Sequence, residues 1–359
     1  MMFNGRLNHQ CSPVNAQLNS AQDLLFRRRA LKVVLWRGLA AGLAVDYSCS
    51  RVALAQSAYP QRTIKLIVPN APGSSIDTIG RILSTHVGAA LSPQSIIVDN
   101  KAGAAGALGL EVGRAMTPDG YTLMLASSSS MTVAPLLQKA VKYDPLKDFD
   151  LIGLVALLPN VLVCNTALPV STIAEFIAYA KAKSGALNMA SAGLGSVSHL
   201  AGVALASAAG FESLHVPYKG GSQSGASVVS GETHWTLTPA PNAMSLVKAG
   251  RLKVLGHSMA KGARPIDDVP SIAETISGFE YVSWIGLVAP KGVPQAIADR
   301  LRANLASALQ QQTLKESFAL NGAVAPPVAQ LASAGFREFL VRDIEQNRKV
   351  IRIAAVPME

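Results

Sequence analysis

Cysteine is scarce in this chain. Three in 359 residues exclude a disulfide scaffold and a Cys-rich zinc cluster. Aromatic residues make up 5%, too few for a base-stacking platform of the kind that binds single-stranded nucleic acid. Charged residues are only 15% against 49% hydrophobic, which excludes a disordered chain and provides for a well-buried core. No uninterrupted apolar run of about 20 residues occurs, so a membrane-spanning helix is not expected. Catalytic signatures are missing too. There is no G-x-S-x-G elbow and no P-loop. Beyond residue 55 the five histidines, His86, His199, His215, His234 and His257, fall into neither H-E-x-x-H nor H-x-E spacing. Gly103, Gly106 and Gly109 follow a strand, but their G-x-x-G-x-x-G spacing departs from the dinucleotide fingerprint G-x-G-x-x-G. No metal or other cofactor is called for.

What is there begins with a leader. Arg27, Arg28 and Arg29 precede an apolar stretch over 33–45, and Ala53-Leu54-Ala55 supplies a small-x-small cleavage site. A positive region, an apolar region and such a site are the layout of an export signal. The Arg-Arg-x-x-Leu-Lys order adds a twin-arginine flavour. An amphipathic N-terminal helix of the mature protein is the competing reading. Residues 1–55 hold seven of the 32 Lys and Arg and two of the 22 acids, so cleavage after Ala55 leaves 25 basic against 20 acidic residues. That modest, dispersed excess has no basic cluster for nucleic acid and suits the attraction of small anions. Of the three cysteines only Cys164 then remains, within an apolar run that marks it as buried and inert.

Beyond the leader, short apolar runs alternate with helical stretches. Strands are expected at 64–68, 96–98, 121–125, 161–164, 187–190, 214–218, 252–257 and 284–289. Helices are expected at 77–91, 171–182, 198–209, 296–310 and 334–351, the second opened by Ser171 or Thr172 with Glu175 as capping-box acid. This rhythm predicts an α/β fold of two lobes, each a mainly parallel sheet flanked by helices, joined by crossover strands. Residues 1–55 form the leader, 56–160 with 283–359 one lobe, and 161–282 the other. Four loops rich in Gly, Ser or Pro follow strands, at 69–75, 127–130, 191–198 and 219–224. In open α/β sheets that edge binds ligands, and small residues let backbone N–H groups approach an anion.

Motifs in order along the chain carry a resemblance. They are Ile67-Val68-Pro69 with Pro72-Gly73-Ser74-Ser75-Ile76-Asp77, then Asn100-Lys101-Ala102-Gly103, then Pro118-Asp119-Gly120-Tyr121-Thr122-Leu123. Tyr143-Asp144-Pro145, Ser191-Ala192-Gly193-Leu194-Gly195-Ser196 with His199, His215-Val216-Pro217-Tyr218-Lys219-Gly220-Gly221 and Trp284-Ile285-Gly286-Leu287 follow. From Tyr59 onward the chain resembles the substrate-binding proteins of tripartite tricarboxylate transporters, the Bug or TctC type of extracytoplasmic solute receptor. The resemblance implies a periplasmic Venus-flytrap receptor, likewise non-enzymatic, that holds a small carboxylate between its lobes and delivers it to membrane permease subunits or to a sensor kinase. It implies a monomer that binds no nucleic acid.

Mapped onto this chain, the ligand-binding residues are Asn70, Ala71, Pro72, Gly73, Ser74, Ser75 and Asp77 in one lobe. Ser191, Ala192, Gly193, Gly195, Ser196 and His199 face them, and Ser127, Ser128, Pro239 and Asn242 lie between. Tyr218 and Lys219 complete the set. Asn70 stands where the family usually has an aromatic residue, and Ser74 in place of a second glycine. Asp77 fits either a helix N-cap or a partner for a ligand amine or hydroxyl, and His199 either a neutral structural role or a ligand contact. Lys219 points either inward or to solvent, and Trp235 either narrows the cleft or packs. Two other functions compete with transport: a ligand sensor signalling to a histidine kinase, and an enzyme acting on a carboxylate in the same cleft.

Overall fold

The computed structural model describes residues 59–91, 95–328 and 333–357. The leader expected at 1–55 lies outside the described residues.

The first half of the fold is a parallel sheet. Its strands are β1 (Ile64–Val68), β2 (Ile96–Asn100) and β3 (Thr122–Ser127). β1 pairs in parallel with both of the others. Connections run through α1 (Ser75–Ala90) and α2 (Ala107–Arg114). In β1 only Lys65 is exposed among Ile64, Leu66, Ile67 and Val68, as expected of a strand covered on both faces. The glycine run that mimics a dinucleotide loop has a packing role. A Cβ on Gly109 would stand 2.8 Å from Pro69 Cα and 2.9 Å from the Lys101 carbonyl oxygen, so α2 can lie against the loop after β1 only with glycine there.

After β3 the chain makes a single π-type turn (Ser128–Val133) and a short α3 (Ala134–Leu137) before β4 (Phe149–Asn165). β4 is 17 residues long, far beyond the four expected at 161–164. Its first part pairs antiparallel with β9 (Val282–Pro290), ending at Pro159–Val282. Its last part pairs antiparallel with β7 (Trp235–Pro239), starting at Asn160–Pro239, and with β8 (Leu252–His257). One strand therefore belongs to both halves, and three register shifts along it let the sheet turn.

The second half repeats the parallel theme. β5 (Asn188–Ser191) pairs in parallel with β6 (Leu214–Pro217) and with β7. Its helices are α4 (Ile173–Ala182), α5 (Val197–Ala209), α6 (Gly221–Ser230) and α7 (Met244–Lys248). α4 opens with the capping box, Thr172 Oγ1 accepting from Glu175 N at 3.1 Å and Glu175 Oε2 from Thr172 N at 3.2 Å. The path across the sheet is β2-β1-β3-β9-β4-β7-β5-β6, with β8 beside β4. The lobes are parallel and the strands between them antiparallel.

After β9 come α8 (Gln295–Gln310), α9 (Gln312–Leu320) and α10 (Ser333–Ala354). Phe336 and Leu340 of α10 sit in the core of the first half, around Trp284, Phe149 and Leu154. Val350 sits in the core of the second, around Phe176, Leu200 and Trp235. Trp235 does not narrow the cleft. It is fully buried, meets Phe176 and Phe211 edge-on, and its Nε1 donates to Ser213 Oγ at 3.0 Å. Cys164 is buried, and burial pushes its thiol up to about 11, so it holds no thiolate at neutral pH.

Candidate functional site

The strand-end loops of both halves meet at one cavity of about 640 Å³. Twelve of the residues named from the sequence line it: Asn70, Ala71, Gly73, Ser74, Ser75, Ser127, Ala192, Gly195, Ser196, Lys219, Pro239 and Asn242. The first turns of α1, α5 and α6 open onto it through Ser75, Val197 and Gly221. First-turn N–H groups have no intrahelical acceptor, and the helix dipole adds positive potential there.

Seven named residues lie elsewhere. Asp77 is 2% exposed behind the first loop, and the N-cap of α1 is Ser74 instead. Asp77 Oδ2 accepts from Gly73 N at 2.9 Å and from Arg81 Nε at 3.0 Å, while Oδ1 accepts from Asn100 Nδ2 at 2.9 Å. Asn100 Nδ2 also donates to the Asn70 carbonyl oxygen at 2.9 Å. Burial pushes this carboxyl up, but the bonds from Arg81, Gly73 and Asn100 outweigh it and hold the group below the ordinary carboxylate range. The acid thus shapes the loop from behind. Pro72 is exposed and is not among the lining residues.

His199 is likewise a support. It is 3% exposed, its Nδ1 accepts from Gly195 N at 3.1 Å, and its ring stacks on His215 with centroids 3.7 Å apart. Burial, then the neighbouring His215, lower it to about 4, so both nitrogens keep their neutral roles at pH 7. Ser191 is fully buried. Its hydroxyl meets His215 Nε2 at 2.6 Å, donates to the Gly193 carbonyl oxygen and accepts from Gly193 N, each at 3.1 Å. Gly193 is thereby turned into the loop, at φ +125°. Ser128 faces β9, where its Oγ accepts from Trp284 N at 3.2 Å, and the next residue, Ser129, reaches the cavity in its place. Tyr218 packs on the cluster of Val161, Val163 and Val228 beneath α6.

Lining residues not foreseen include Val133, Leu137, Leu158, Leu194, Ser283 to Ile285, and Val356 with Pro357 beyond α10. The floor is braced from below. Trp284 Nε1 donates to Asp343 Oδ2 at 2.8 Å, and Asn347 Nδ2 donates to Thr132 Oγ1 at 3.1 Å and to the Asp343 carbonyl oxygen at 3.0 Å. Burial raises the Asp343 carboxyl to about 6, against the hydrogen bonds from Trp284 and Thr132. A bond crosses the cavity from Ser75 Oγ to Asn242 Oδ1 at 3.1 Å. No group of three His, Cys, Asp or Glu side chains that could hold a metal occurs among the described residues. Nor is any described helix long and apolar enough to cross a membrane.

Two parallel α/β sheets that share antiparallel strands, with helix N-termini facing one cleft, define the class of the periplasmic binding proteins. The comparisons with known proteins narrow it. Residues 79–353 match the model of the tripartite tricarboxylate transporter family receptor, TctC, and the chain belongs to that family. It is 31% identical to the Bordetella pertussis protein BugT over 298 residues, covering 82% of this chain and 90% of that protein. Among solved structures it is similar to Rpa4515 of R. palustris with adipate, at 27% identity and a TM-score of 0.75 over 84% of this chain and 99% of that one. It is also similar to MatC of Rhodopseudomonas palustris with bound malate, at 28% identity and a TM-score of 0.70 over 82% and 100%.

Proposed function

We propose that this protein is a periplasmic solute receptor that captures a small organic acid in the cleft and hands it to the permease subunits of a tripartite tricarboxylate-type transporter. The observation that carries the proposal is the convergence of three helix N-termini and Lys219 on one cavity with no acid among its described lining residues. A carboxylate there replaces its water shell with amide donors, each charge-assisted bond contributing about 1.5–3 kcal/mol. Adipate and malate in the two R. palustris relatives support the ligand class.

Residues 56–160 and 283–359 form one lobe in this reading and 161–282 the other, hinging on β4 and β9. The twelve lining residues named from the sequence contact the ligand or its water, while Asp77, Ser191 and His199 hold the loops. The site binds without transforming. Ser191, whose hydroxyl is beside His215, is committed to closing its loop and is no nucleophile. The leader directs export and is removed after Ala55.

Calorimetry of the purified protein against mono-, di- and tricarboxylates tests the binding reading. Saturable binding of at least one supports it, and no binding by any overturns it. Uptake of the bound acid in cells lacking the permease subunits separates transport from sensing, since uptake that persists unchanged contradicts delivery to them. Intact-mass analysis of periplasmic protein tests cleavage, and a retained N-terminus contradicts it.

A further inference from the structure

The chemistry of the cavity wall narrows the acid further, provided the cleft is the carboxylate site just proposed. Among the described lining residues, Lys219 is the one ionisable side chain. Asp77, the nearest carboxylate in sequence, is buried and spends its oxygens on Gly73, Arg81 and Asn100. A ligand ammonium group would therefore meet no anion among the described lining residues, and would sit before three positive helix ends.

The wall is also divided. Val133, Leu137 and Val197 belong to one contiguous apolar cluster, and Val356 packs against it. Leu194, 47% exposed, also lines the cavity, next to Gly195, where an added Cβ would stand 2.6 Å from Leu137 Cδ1. The polar groups are contiguous as well. Ser75 bonds Asn242, and Asn242 lies so close to Gly221 that a Cβ there would stand 2.6 Å from its Nδ2. Gly221 opens α6, two residues after Lys219. At α5 the hydroxyls serve their own loop: Ser196 Oγ and Ser198 Oγ lie 3.2 Å apart, so one donates to the other and a single O–H is left for a ligand. Ser198 Oγ accepts from Ala192 N at 2.9 Å, and Ser196 Oγ accepts from His199 N at 3.3 Å. A second carboxylate on that side would exchange its hydration for a few first-turn amides and one hydroxyl beside Val197, with no cation among the described lining residues to offset the loss.

We infer that the cleft selects amphiphilic monocarboxylates. The carboxylate sits among Lys219, Asn242, Ser75 and the first turn of α6, and an aliphatic or aromatic body lies against Val133, Leu137, Val197 and Val356. The cavity has room for such a body, since about 640 Å³ falls in the middle of the roughly 300–1,000 Å³ of sites for drug-sized ligands. Short diacids and amino acids are selected against, unlike the adipate and malate of the two relatives.

Three six-carbon probes that differ at one end test this by calorimetry on the purified protein: hexanoate, adipate and 6-aminohexanoate. Hexanoate is expected to bind at least tenfold more tightly than either of the others. Adipate binding as tightly as hexanoate, or more so, overturns the inference and leaves carboxylate capture standing. Equal binding of 6-aminohexanoate and hexanoate overturns it too. If hexanoate, adipate, octanoate, benzoate and citrate all fail to bind, the carboxylate reading falls with it. Leu194→Lys places a cation on the apolar side without opening the core, and should shift preference toward adipate by at least fivefold. An unchanged ratio counts against the divided wall.

Discussion

The two loops that face each other across the cleft do the same work by different chemistry. Each turns the start of a helix toward the cavity, and each is held from behind by a residue four positions after the glycine it bonds. In the first loop that residue is an anion, Asp77, which accepts from Gly73 N with Arg81 and Asn100 beside it. In the second it is a neutral imidazole, His199, which accepts from Gly195 N and stacks on a second histidine. The comparison teaches that a site for anions can be built over a buried carboxylate, provided that charge is consumed by its own donors. It also assigns the loops opposite sensitivities. One depends on a group staying charged, the other on a group staying uncharged.

Removing the anion should break the first loop most severely. Asp77→Ala leaves the Gly73 N–H and the Asn100 amide without their acceptor. About 2–4 kcal/mol of stability should be lost in denaturant titration, and ligand affinity should fall at least tenfold. The exposed Arg81 side of the pair contributes little of this. If Asp77→Ala keeps wild-type affinity, the acid does not shape the loop.

Titration separates the second loop from the floor beneath it. The folded-state value of His199 is lowered to about 4 from 6.5, so the unfolded chain takes up the proton first and stability from this group is lost as pH falls from about 6.5 toward 4. Asp343 runs the other way. Its folded-state value is raised to about 6 from 3.8, so the fold takes up the proton first and gains stability as pH falls from about 6 toward 4. Each contribution is on the order of 3 kcal/mol. Relative to wild type, His199→Gln should therefore become more stable between pH 6.5 and 4.5, and Asp343→Asn less stable. Thermal denaturation across that range checks both signs, and parallel curves for all three proteins would refute them.

A glycine pair sharpens the contrast at lower cost. Gly73 (φ +80°) has nothing within 4 Å of an added Cβ, whereas Gly195 (φ +68°) would place one 2.6 Å from Leu137 Cδ1. Both alanine variants carry the backbone cost of about 1–2 kcal/mol, so Gly195→Ala should cost more, and the excess should vanish in a Leu137→Ala background. Equal costs in chemical denaturation would show that Leu137 yields freely. Ser75→Ala should have the smallest effect. It removes a bond across the cleft, and affinity should drop two- to fivefold with stability within about 0.5 kcal/mol of wild type. An unchanged affinity would show that this bond plays no part in ligand capture.

The lobes were legible where local chemistry agrees with the fold. The run Ile64-Lys65-Leu66-Ile67-Val68, the Thr172–Glu175 box and the small-residue turns after strands all speak locally. β4 was not legible before residue 161. Gly153 and Pro159 interrupt its apolar run, and the partner that makes it a strand, β9, lies more than 100 residues away. In the site, motif order located the loops but not which side chains face inward. Ser128 and Ser129 differ by one position along the turn, and only packing against Trp284 decides that Ser128 turns away. Asp77 and His199 sit where a ligand contact is chemically attractive, yet each is used by the backbone of its own loop. Val356 and Pro357 reach the cavity through the tertiary path of α10, which carries no local signal.

Helix N-termini and Lys219 are expected to capture negative charge in this cleft. Comparing hexanoate with its methyl ester in calorimetry tests this most directly, because the two share the apolar body and differ in charge. The ester should bind at least a hundredfold more weakly. Comparable affinity for acid and ester would contradict the account.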